Sequence, residues 1–193
     1  INFLEFSMKI IATFIITFFS LIVPVSGEDK EYLTVYTYDS FNTEWGPGPL
    51  IEKAFEENCN CDLKFVSAGD GAALLAKIRL EGEKTKADVV LGLDSNVLQE
   101  ARETKLFVPN SLNVTLDLPI NWEDDTFLPF DWGFFAFVFD KNKTKKIPNS
   151  FEELVNSEIR LVIQDPRSST PGLGLLLWVQ KVFGNDSKSF WEK

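Results

Sequence analysis

The feature that most constrains the fold is an alternation of strand-like and helix-like segments that begins at Leu33. The predicted strands cover residues 33–38, 63–68 and 87–93, and the predicted helices cover residues 47–57, 72–80 and 96–106. The run from Ala87 to Leu93 is almost continuously apolar, which is typical of a parallel strand buried on both faces. Strands alternating with helices favour a parallel sheet with right-handed crossovers. The sequence therefore predicts an α/β fold.

After residue 107, the predicted strands and helices are separated by longer irregular segments than in the first part of the chain. Residues 108–125 are irregular and rich in Asn and Asp, and an aromatic strand is predicted over residues 130–139. Ser150 and Glu153 predict a capping box at the start of a short helix. A strand is predicted at residues 161–164 and a helix from Thr170 to about residue 182. The sequence stops within what its pattern predicts to be a further helix, so we expect this region to be incomplete.

The N-terminus has the pattern of a secretory leader. Met8 and Lys9 precede a run of uncharged apolar residues from Ile10 to Val23, and the small residues around Gly27 form a cleavage site. This run is shorter than the roughly 20 residues that cross a bilayer. We therefore expect residues 1–27 to be a signal peptide with upstream leader, and the mature protein to be free in the periplasm.

Composition excludes several functional classes. The net charge is −10, which disfavours nucleic acid because phosphates require clustered Lys and Arg. The chain contains no His, which removes Ser-His-Asp and Cys-His catalysis and the commonest zinc ligand sets. The only cysteines are Cys59 and Cys61, and the sequence allows either a disulfide or two thiols. An enzyme could still use carboxylates or lysines, but our prediction is a protein with no metal site, no catalytic residues and no cofactor.

Three polar segments follow predicted strands, where open α/β sheets bind ligands. The segment Gly69-Asp70-Gly71 begins a predicted helix, so Asp70 either caps that helix or faces a ligand. The residues Tyr38 and Trp45 follow the first strand, and could stack on a flat or cationic ring or pack in the core.

The third segment, residues 164–172, leads into the helix that starts near Thr170. Thr170 is expected at the N-cap, with Pro171 as the first helical residue. Two interpretations remain open at this point. The exposed N–H groups, together with the hydroxyls of Ser169 and Thr170, form an anion site, or Thr170 only caps the helix.

The sequence resembles the thiamine-binding periplasmic proteins of bacterial ABC importers from about Leu33 to its end. The segments that carry the resemblance are TVYTYDSF, WGPGP, CNC, KADVVLGLD, FAFVFDKNK and, above all, QDPRSSTPGLGLLLW at residues 164–178. Gly69 and Trp132 depart from the familiar pattern, which has Glu and Tyr at these positions. Either difference could change the preference among thiamine and its phosphates.

The resemblance implies a periplasmic-binding-protein-like fold with two α/β lobes that close on the ligand. Residues 28–128 would form the first lobe, and residues 129–193 the crossover strand and the start of a truncated second lobe. The ligand would be thiamine, thiamine phosphate or thiamine diphosphate, delivered to the permease of an ABC importer by a monomer. The implied ligand-binding residues are Asp70, Gly71, Ser169, Thr170 and, more weakly, Tyr38.

Two other functions compete with this interpretation. A receptor for another small cation, such as a polyamine or ferric iron, would have the same architecture. A ferric site would require clustered Tyr and carboxylates, often with His. A periplasmic enzyme acting on phosphate esters would need a nucleophile with a base or a metal cluster, and the sequence offers neither.

Overall fold

A computed structural model describes residues 31–112 and 114–193. Residues Tyr32–Lys193 form one unit of the chain. The predicted signal peptide lies outside the described residues.

A parallel sheet of three strands organises the first region. The strands are β1 (Tyr32–Thr37), β2 (Asp62–Ser67) and β3 (Val89–Leu91), in the order β2-β1-β3. Thr37 at the end of β1 is opposite both Ser67 and Leu91, so the three carboxyl ends are level. The segments that follow the strands therefore begin at one edge of the sheet.

Strand β3 is shorter than the sequence predicts. The prediction covered residues 87–93, whereas the observed strand stops at Leu91. Gly92 follows with a φ of +108°, a conformation that L side chains rarely adopt and that takes the chain out of the strand direction. At the other end, Asp88 is still tied to β1, because its N–H donates to the Thr34 carbonyl over 2.9 Å.

Three helices accompany this sheet: α1 (Gly48–Cys59), α2 (Gly71–Glu81) and α3 (Leu98–Glu103). Helix α3 is shorter than the predicted span of residues 96–106. Its start is delayed because the N–H groups of Asn96 and Val97 bond to the side chain and the carbonyl of Asp94, forming a turn. Its end comes before Lys105, which has a φ of +59°.

The core of the first region lies between the sheet and helices α2 and α3. Tyr36 of β1 packs against Leu74 and Ile78 of α2, and all three are almost completely buried. A second cluster joins Leu75 of α2 to Val97 and Ala101. The periodicity that predicted α2 therefore identified the face that it buries.

The helix α1 ends beside a disulfide. Cys59, the last residue of α1, is bonded to Cys61, and Asn60 between them is left-handed with a φ of 52°. Asn tolerates this conformation better than most residues. The structure thus decides between the two states of Cys59 and Cys61 that the sequence left open.

The predicted aromatic strand at residues 130–139 is not a strand. No ladder partner runs beside this segment among the described residues, and a strand needs one to satisfy its backbone groups. Phe134 is 86% exposed and Val138 is 96% exposed. The predicted strand at residues 161–164 is likewise extended without a ladder, and Val162 within it is fully exposed. Apolar composition predicted strands here, but pairing decides whether they form.

The second region contains the helices α4 (Phe151–Val155), α5 (Thr170–Phe183) and α6 (Ser187–Trp191). Its core consists of Phe151, Val179 and Phe190, one from each helix. The Ser150 hydroxyl accepts from the Glu153 N–H, as predicted, while the Glu153 carboxylate accepts from the Asn149 N–H. In the described part of the chain, no helix has the length and apolarity needed to span a membrane.

Candidate ligand-binding site

The candidate site lies at the carboxyl edge of the sheet, where a polar residue follows each strand. Tyr38 comes directly after β1, Asp70 comes three residues after β2, and Asp94 comes three residues after β3. The N-terminus of α5 reaches the same place, although it is far away in sequence. This edge is where ligands bind in open α/β sheets.

Asp70 caps its own helix, as one of the two interpretations of the sequence expected, and it also contacts a distant part of the chain. Its Oδ1 atom accepts from the Gly71 N–H over 2.9 Å and so caps α2. Its Oδ2 atom accepts from the Thr170 N–H, also over 2.9 Å. Capping therefore uses only one carboxylate oxygen, and the other one faces the site.

Asp94 is a further member of this candidate site, and sequence reasoning missed it. Its Oδ1 atom accepts from the Asn96 N–H over 2.8 Å, and its Oδ2 atom accepts from the Thr170 hydroxyl over 2.7 Å. Asp94 thus repeats the arrangement of Asp70, with one oxygen on its own turn and the other on Thr170. The available signal was its position, since an Asp just after a predicted strand is a candidate on the same grounds as Asp70. The burial predicted for this strand is not observed, because Val89 is 43% exposed and the other two residues are only half-buried.

The start of α5 differs from the prediction by one residue. The N-cap is Ser169, whose hydroxyl accepts from the Gly172 N–H over 3.4 Å, so Thr170 and Pro171 are the first two helical residues. Ser169 has the extended backbone of an N-cap, with φ −118° and ψ 131°. Thr170 is therefore not the cap, and its side chain is available for the contact with Asp94.

The N–H groups of this helix start all have partners. The Thr170 N–H donates to the Asp70 carboxylate, the Gly172 N–H to the Ser169 hydroxyl, and the Leu173 N–H to the Ser169 carbonyl. Pro171 has no backbone N–H group. A helix start usually leaves such groups for an anion or a cap. Here the Asp70 carboxylate already occupies the position that the sequence suggested for a ligand anion.

Ser169 has a different environment from its neighbour. It is 8% exposed, and its hydroxyl contacts the Gln164 side chain and the Gly172 N–H. The described hydrogen bonds of its side chain thus stay within its own segment. Thr170, and not Ser169, makes the side-chain contact with the edge of the sheet.

Gly71 is where the elements of the site come closest together. A Cβ atom at this position would lie 2.7 Å from the Thr170 Oγ1 atom, 3.0 Å from the Asp94 Oδ2 atom and 3.2 Å from the Gly92 carbonyl oxygen. Any larger residue would push α5 away from the sheet or displace Asp94. The absence of a side chain at Gly71 is therefore a requirement of the site.

Tyr38 adjoins this cluster through Gly92. Its ring lies against Gly92, where a Cβ atom would be only 2.2 Å from the Tyr38 Cδ1 atom. Burial, and then the negative charges of Asp131 and Asp70, raise the pKa of Tyr38 above its usual value of 10.0. Tyr38 therefore remains a neutral phenol, able to donate a hydrogen bond, throughout the physiological range.

Two further side chains, those of the candidate Trp45 and of Arg167 in the segment before α5, are exposed. Trp45 is 78% exposed and does not pack in the core. Arg167 is held by Asp165, with its Nε atom 3.0 Å from the Asp165 Oδ1 atom. Within the described residues, no group of three or more Cys, Asp or Glu side chains has the arrangement of a metal site. The site as described is thus rich in carboxylates and hydrogen-bond acceptors.

Comparison with solved structures supports the architecture. A solved structure titled "Periplasmic thiamin binding protein" matches with a TM-score of 0.80 and 54% identity, over 88% of this chain and 54% of that one. This likeness confirms the predicted α/β, periplasmic-binding-protein-like fold.

Comparison with curated sequences gives the relatives. A protein named "Thiamine-binding periplasmic protein" from Escherichia coli K12 is 56% identical over 167 residues, which are 85% of this chain and 51% of that protein. The protein of the same name from Brucella abortus is 44% identical over 190 residues, 96% of this chain and 57% of that protein. The chain thus spans about half the length of the relatives that it matches.

Comparison with models of protein families gives a match, which begins after α2 and includes α5. The family described as "Bacterial extracellular solute-binding protein" matches residues 84–192, which include Asp94 and Thr170. This match extends over more than half of the 193 residues. The chain therefore belongs to the bacterial extracellular solute-binding protein family.

Proposed function

We propose that the protein captures thiamine and thiamine phosphates in the periplasm and delivers them to the permease of an ABC importer. Two relatives with thiamine binding in their names, 56% and 44% identical, support this ligand. The observation that carries the proposal is the meeting of Asp70, Asp94 and Thr170 at the edge of the sheet. Thiamine has a permanently cationic thiazolium ring, and a carboxylate-rich site favours a cation.

The proposed ligand-binding residues are Asp70, Gly71, Ser169, Thr170 and Tyr38. Asp70 supplies negative charge and Gly71 allows close approach to the backbone, while Tyr38 offers a ring face and a neutral hydroxyl. In this proposal, residues 28–128 form one lobe, and residues 129–193 the crossover and the start of the other. The protein acts as a monomer after a signal peptide at residues 1–27 has been removed.

A role in binding requires no chemical step. The hydroxyl of Thr170 donates to the Asp94 carboxylate, whose other oxygen accepts from the Asn96 N–H, so this pair is explained by its role in joining the two segments. We therefore propose a receptor without catalytic activity.

Titration calorimetry with the complete protein tests this function. We expect stoichiometric binding of thiamine, and an Asp70→Asn variant should bind at least about tenfold more weakly, equivalent to about 1.4 kcal/mol. Asp88→Asn is the matched control, because Asp88 also accepts a backbone N–H, from Thr34 over 2.8 Å, but lies at the opposite end of β3.

Two outcomes would contradict the proposal. Release of phosphate from thiamine monophosphate during incubation would indicate an enzyme. Binding of spermidine or ferric iron without binding of thiamine would indicate a receptor for another cation.

A further inference from the structure

We infer that Asp39 is a positioning residue of the candidate site, which fixes the turn that carries Asp70 relative to the loop that carries Tyr38. Tyr38 and Asp70 both belong to the proposed ligand-binding set, whereas Asp39 does not. Tyr38 directly precedes Asp39, and Asp70 directly follows Gly69, to which Asp39 is bonded. The inference rests on the proposed function, because this arrangement matters only if Tyr38 and Asp70 face a ligand.

Two reciprocal hydrogen bonds join Asp39 to Gly69, and we call them the Asp39–Gly69 bracket. The Asp39 N–H donates to the Gly69 carbonyl over 2.7 Å, and the Gly69 N–H donates to the Asp39 Oδ1 atom over 2.8 Å. Both polar backbone groups of Gly69 therefore bond to the same residue. The Gly69 carbonyl belongs to the peptide group that leads into Asp70, so the position of Asp70 depends on this bracket.

The bracket continues the pairing of β1 and β2 beyond the ends of the two strands. The Ala68 N–H donates to the Thr37 carbonyl over 3.0 Å, and the bonds between Asp39 and Gly69 follow. The chain then turns at Gly69, whose φ is +77°, and Asp70 caps α2. Because Gly69 lies beyond β2, its N–H is outside the strand ladder, and the side chain of Asp39 supplies the acceptor.

The loop that carries Asp39 is itself fixed by the core. Phe41 is completely buried, and its N–H donates to the Tyr38 carbonyl over 3.1 Å. The Phe41 ring packs edge-on against the rings of Tyr38 and of Phe65 in β2, with centroid distances of 5.6 and 5.3 Å. Asp39 therefore lies in an anchored loop, from which its carboxylate can hold the turn after β2 in a defined place.

The same pair of bonds occurs at the opposite edge of the sheet, away from the candidate site. The Asp88 N–H donates to the Thr34 carbonyl over 2.9 Å, and the Thr34 N–H donates to the Asp88 Oδ2 atom over 2.8 Å. Asp39 and Asp88 are both exposed. Their contributions to the stability of the sheet should therefore be similar, and only Asp39 should affect the binding of a ligand.

The principal test compares three substitutions of Asp39 in the complete protein by titration calorimetry with thiamine. Asp39→Asn keeps the acceptor oxygen and removes the charge, Asp39→Glu keeps the charge but lengthens the side chain, and Asp39→Ala removes both. We expect Asp39→Asn to bind thiamine within about twofold of the parent, and the other two variants to bind at least about fivefold more weakly. Rescue by Asn would show that the position of the acceptor matters, and not the charge.

Asp88→Ala is the matched control for Asp39→Ala. It removes the same bonded carboxylate at the other edge of the sheet, so urea unfolding should give similar losses of stability for the two variants. The affinity for thiamine should fall only in Asp39→Ala. This difference separates the positioning of the site from a general contribution to the fold.

The outcomes distinguish the inference from the proposed function. If Asp39 acted through its charge, Asp39→Asn would bind as weakly as Asp39→Ala, and the inference would be wrong. Unchanged affinity in a destabilised Asp39→Ala would show a purely structural role and would also overturn it. If Asp39→Ala failed to fold, equal affinities of Asp39→Asn and Asp39→Glu would overturn it. If the unsubstituted protein did not bind thiamine, the proposed function would be wrong, and the inference with it.

Discussion

The region of residues 32–107 and the region of residues 129–193 differ in how their apolar residues are used. In the first region, paired strands lie against helices, and Tyr36, Leu74 and Ile78 are buried. In the second, the longest aromatic segment has no strand partner among the described residues, and Phe134 and Val138 are exposed. Apolar composition is similar in the two regions, so composition does not account for the difference.

The contacts of the aromatic segment show how the two regions are connected. Phe130 packs edge-on against Phe41 at 5.7 Å, whereas Phe137 contacts Phe151 of α4 at 5.8 Å. Leu173 of α5 packs against the cluster around Leu75. The second region is therefore positioned by its contacts with helices and with the edge of the first sheet. Apolar residues stabilise a region only to the extent that the fold gives them partners.

The largest expected effect separates a buried apolar residue from an exposed one. Leu74→Ala removes a completely buried side chain and should lower the free energy of unfolding by about 3 kcal/mol. Phe134→Ala truncates a larger side chain that is 86% exposed, and should cost below about 0.5 kcal/mol. Urea unfolding of both variants makes the comparison, and equal losses would show that the aromatic segment is buried in solution.

The next effect concerns glycines in the two regions. Gly71→Ala should lower the free energy of unfolding by about 1–3 kcal/mol, because the new methyl group would overlap the Thr170 Oγ1 atom. Thiamine affinity should fall at least about tenfold, because Asp70, Asp94 and Thr170 could no longer meet. Calorimetry and urea unfolding measure the two changes.

Gly133→Ala is the matched control for this substitution. No atom lies within 4 Å of a Cβ at Gly133, so stability and affinity should both remain within error of the parent. A loss in the Gly133 variant as large as that in the Gly71 variant would contradict the difference between the two regions.

A smaller effect is expected at the start of α4. Ser150→Ala removes the acceptor of the Glu153 N–H and should cost about 1 kcal/mol of unfolding free energy. Ser168→Ala is the control, since its side chain is exposed and makes none of the described hydrogen bonds. Thermal melting measures both variants. A negligible shift for Ser150→Ala would mean that the packing of Phe151 alone maintains this helix.

The smallest effect is a dependence of stability on pH in the loop before α5. Hydrogen bonds from Arg167 lower the pKa of Asp165 from 3.8 to about 2. A depressed pKa in the folded state stabilises the protein above pH 3.8, and this contribution disappears as the pH falls through about 2. The pair is exposed, so the contribution is small.

Thermal melting at pH 5 and pH 2.5 tests this dependence with Asp165→Asn. The variant should lose less stability between the two pH values than the parent does. Asp117→Asn, at an exposed carboxylate with no described ion pair, should follow the parent. Identical profiles for the parent and Asp165→Asn would show that the Arg167 contact does not persist in solution.

The sequence by itself determined the local features of this protein. Helix α2, the cap at Ser150 and the positions of Tyr38 and Asp70 after strands were predictable, because each depends on residues within a few positions of one another. The order of strands and helices in the first region was predictable for the same reason. The resemblance of residues 164–178 also drew attention to the segment that contains Thr170, although it did not predict its contact with the sheet.

Only the tertiary structure decided which of these features meet and which remain unpaired. Thr170 contacts Asp70 across 100 residues and Asp94 across 76, and no local pattern specifies such a contact. The contact with Asp70 uses the Thr170 N–H, which belongs to the helix start where the sequence had suggested that a ligand anion binds. Residues 130–139 have the composition of a strand, but a strand exists only where the fold places a partner beside it. The physical reason in both cases is that hydrogen bonds between distant segments depend on where the whole chain brings them.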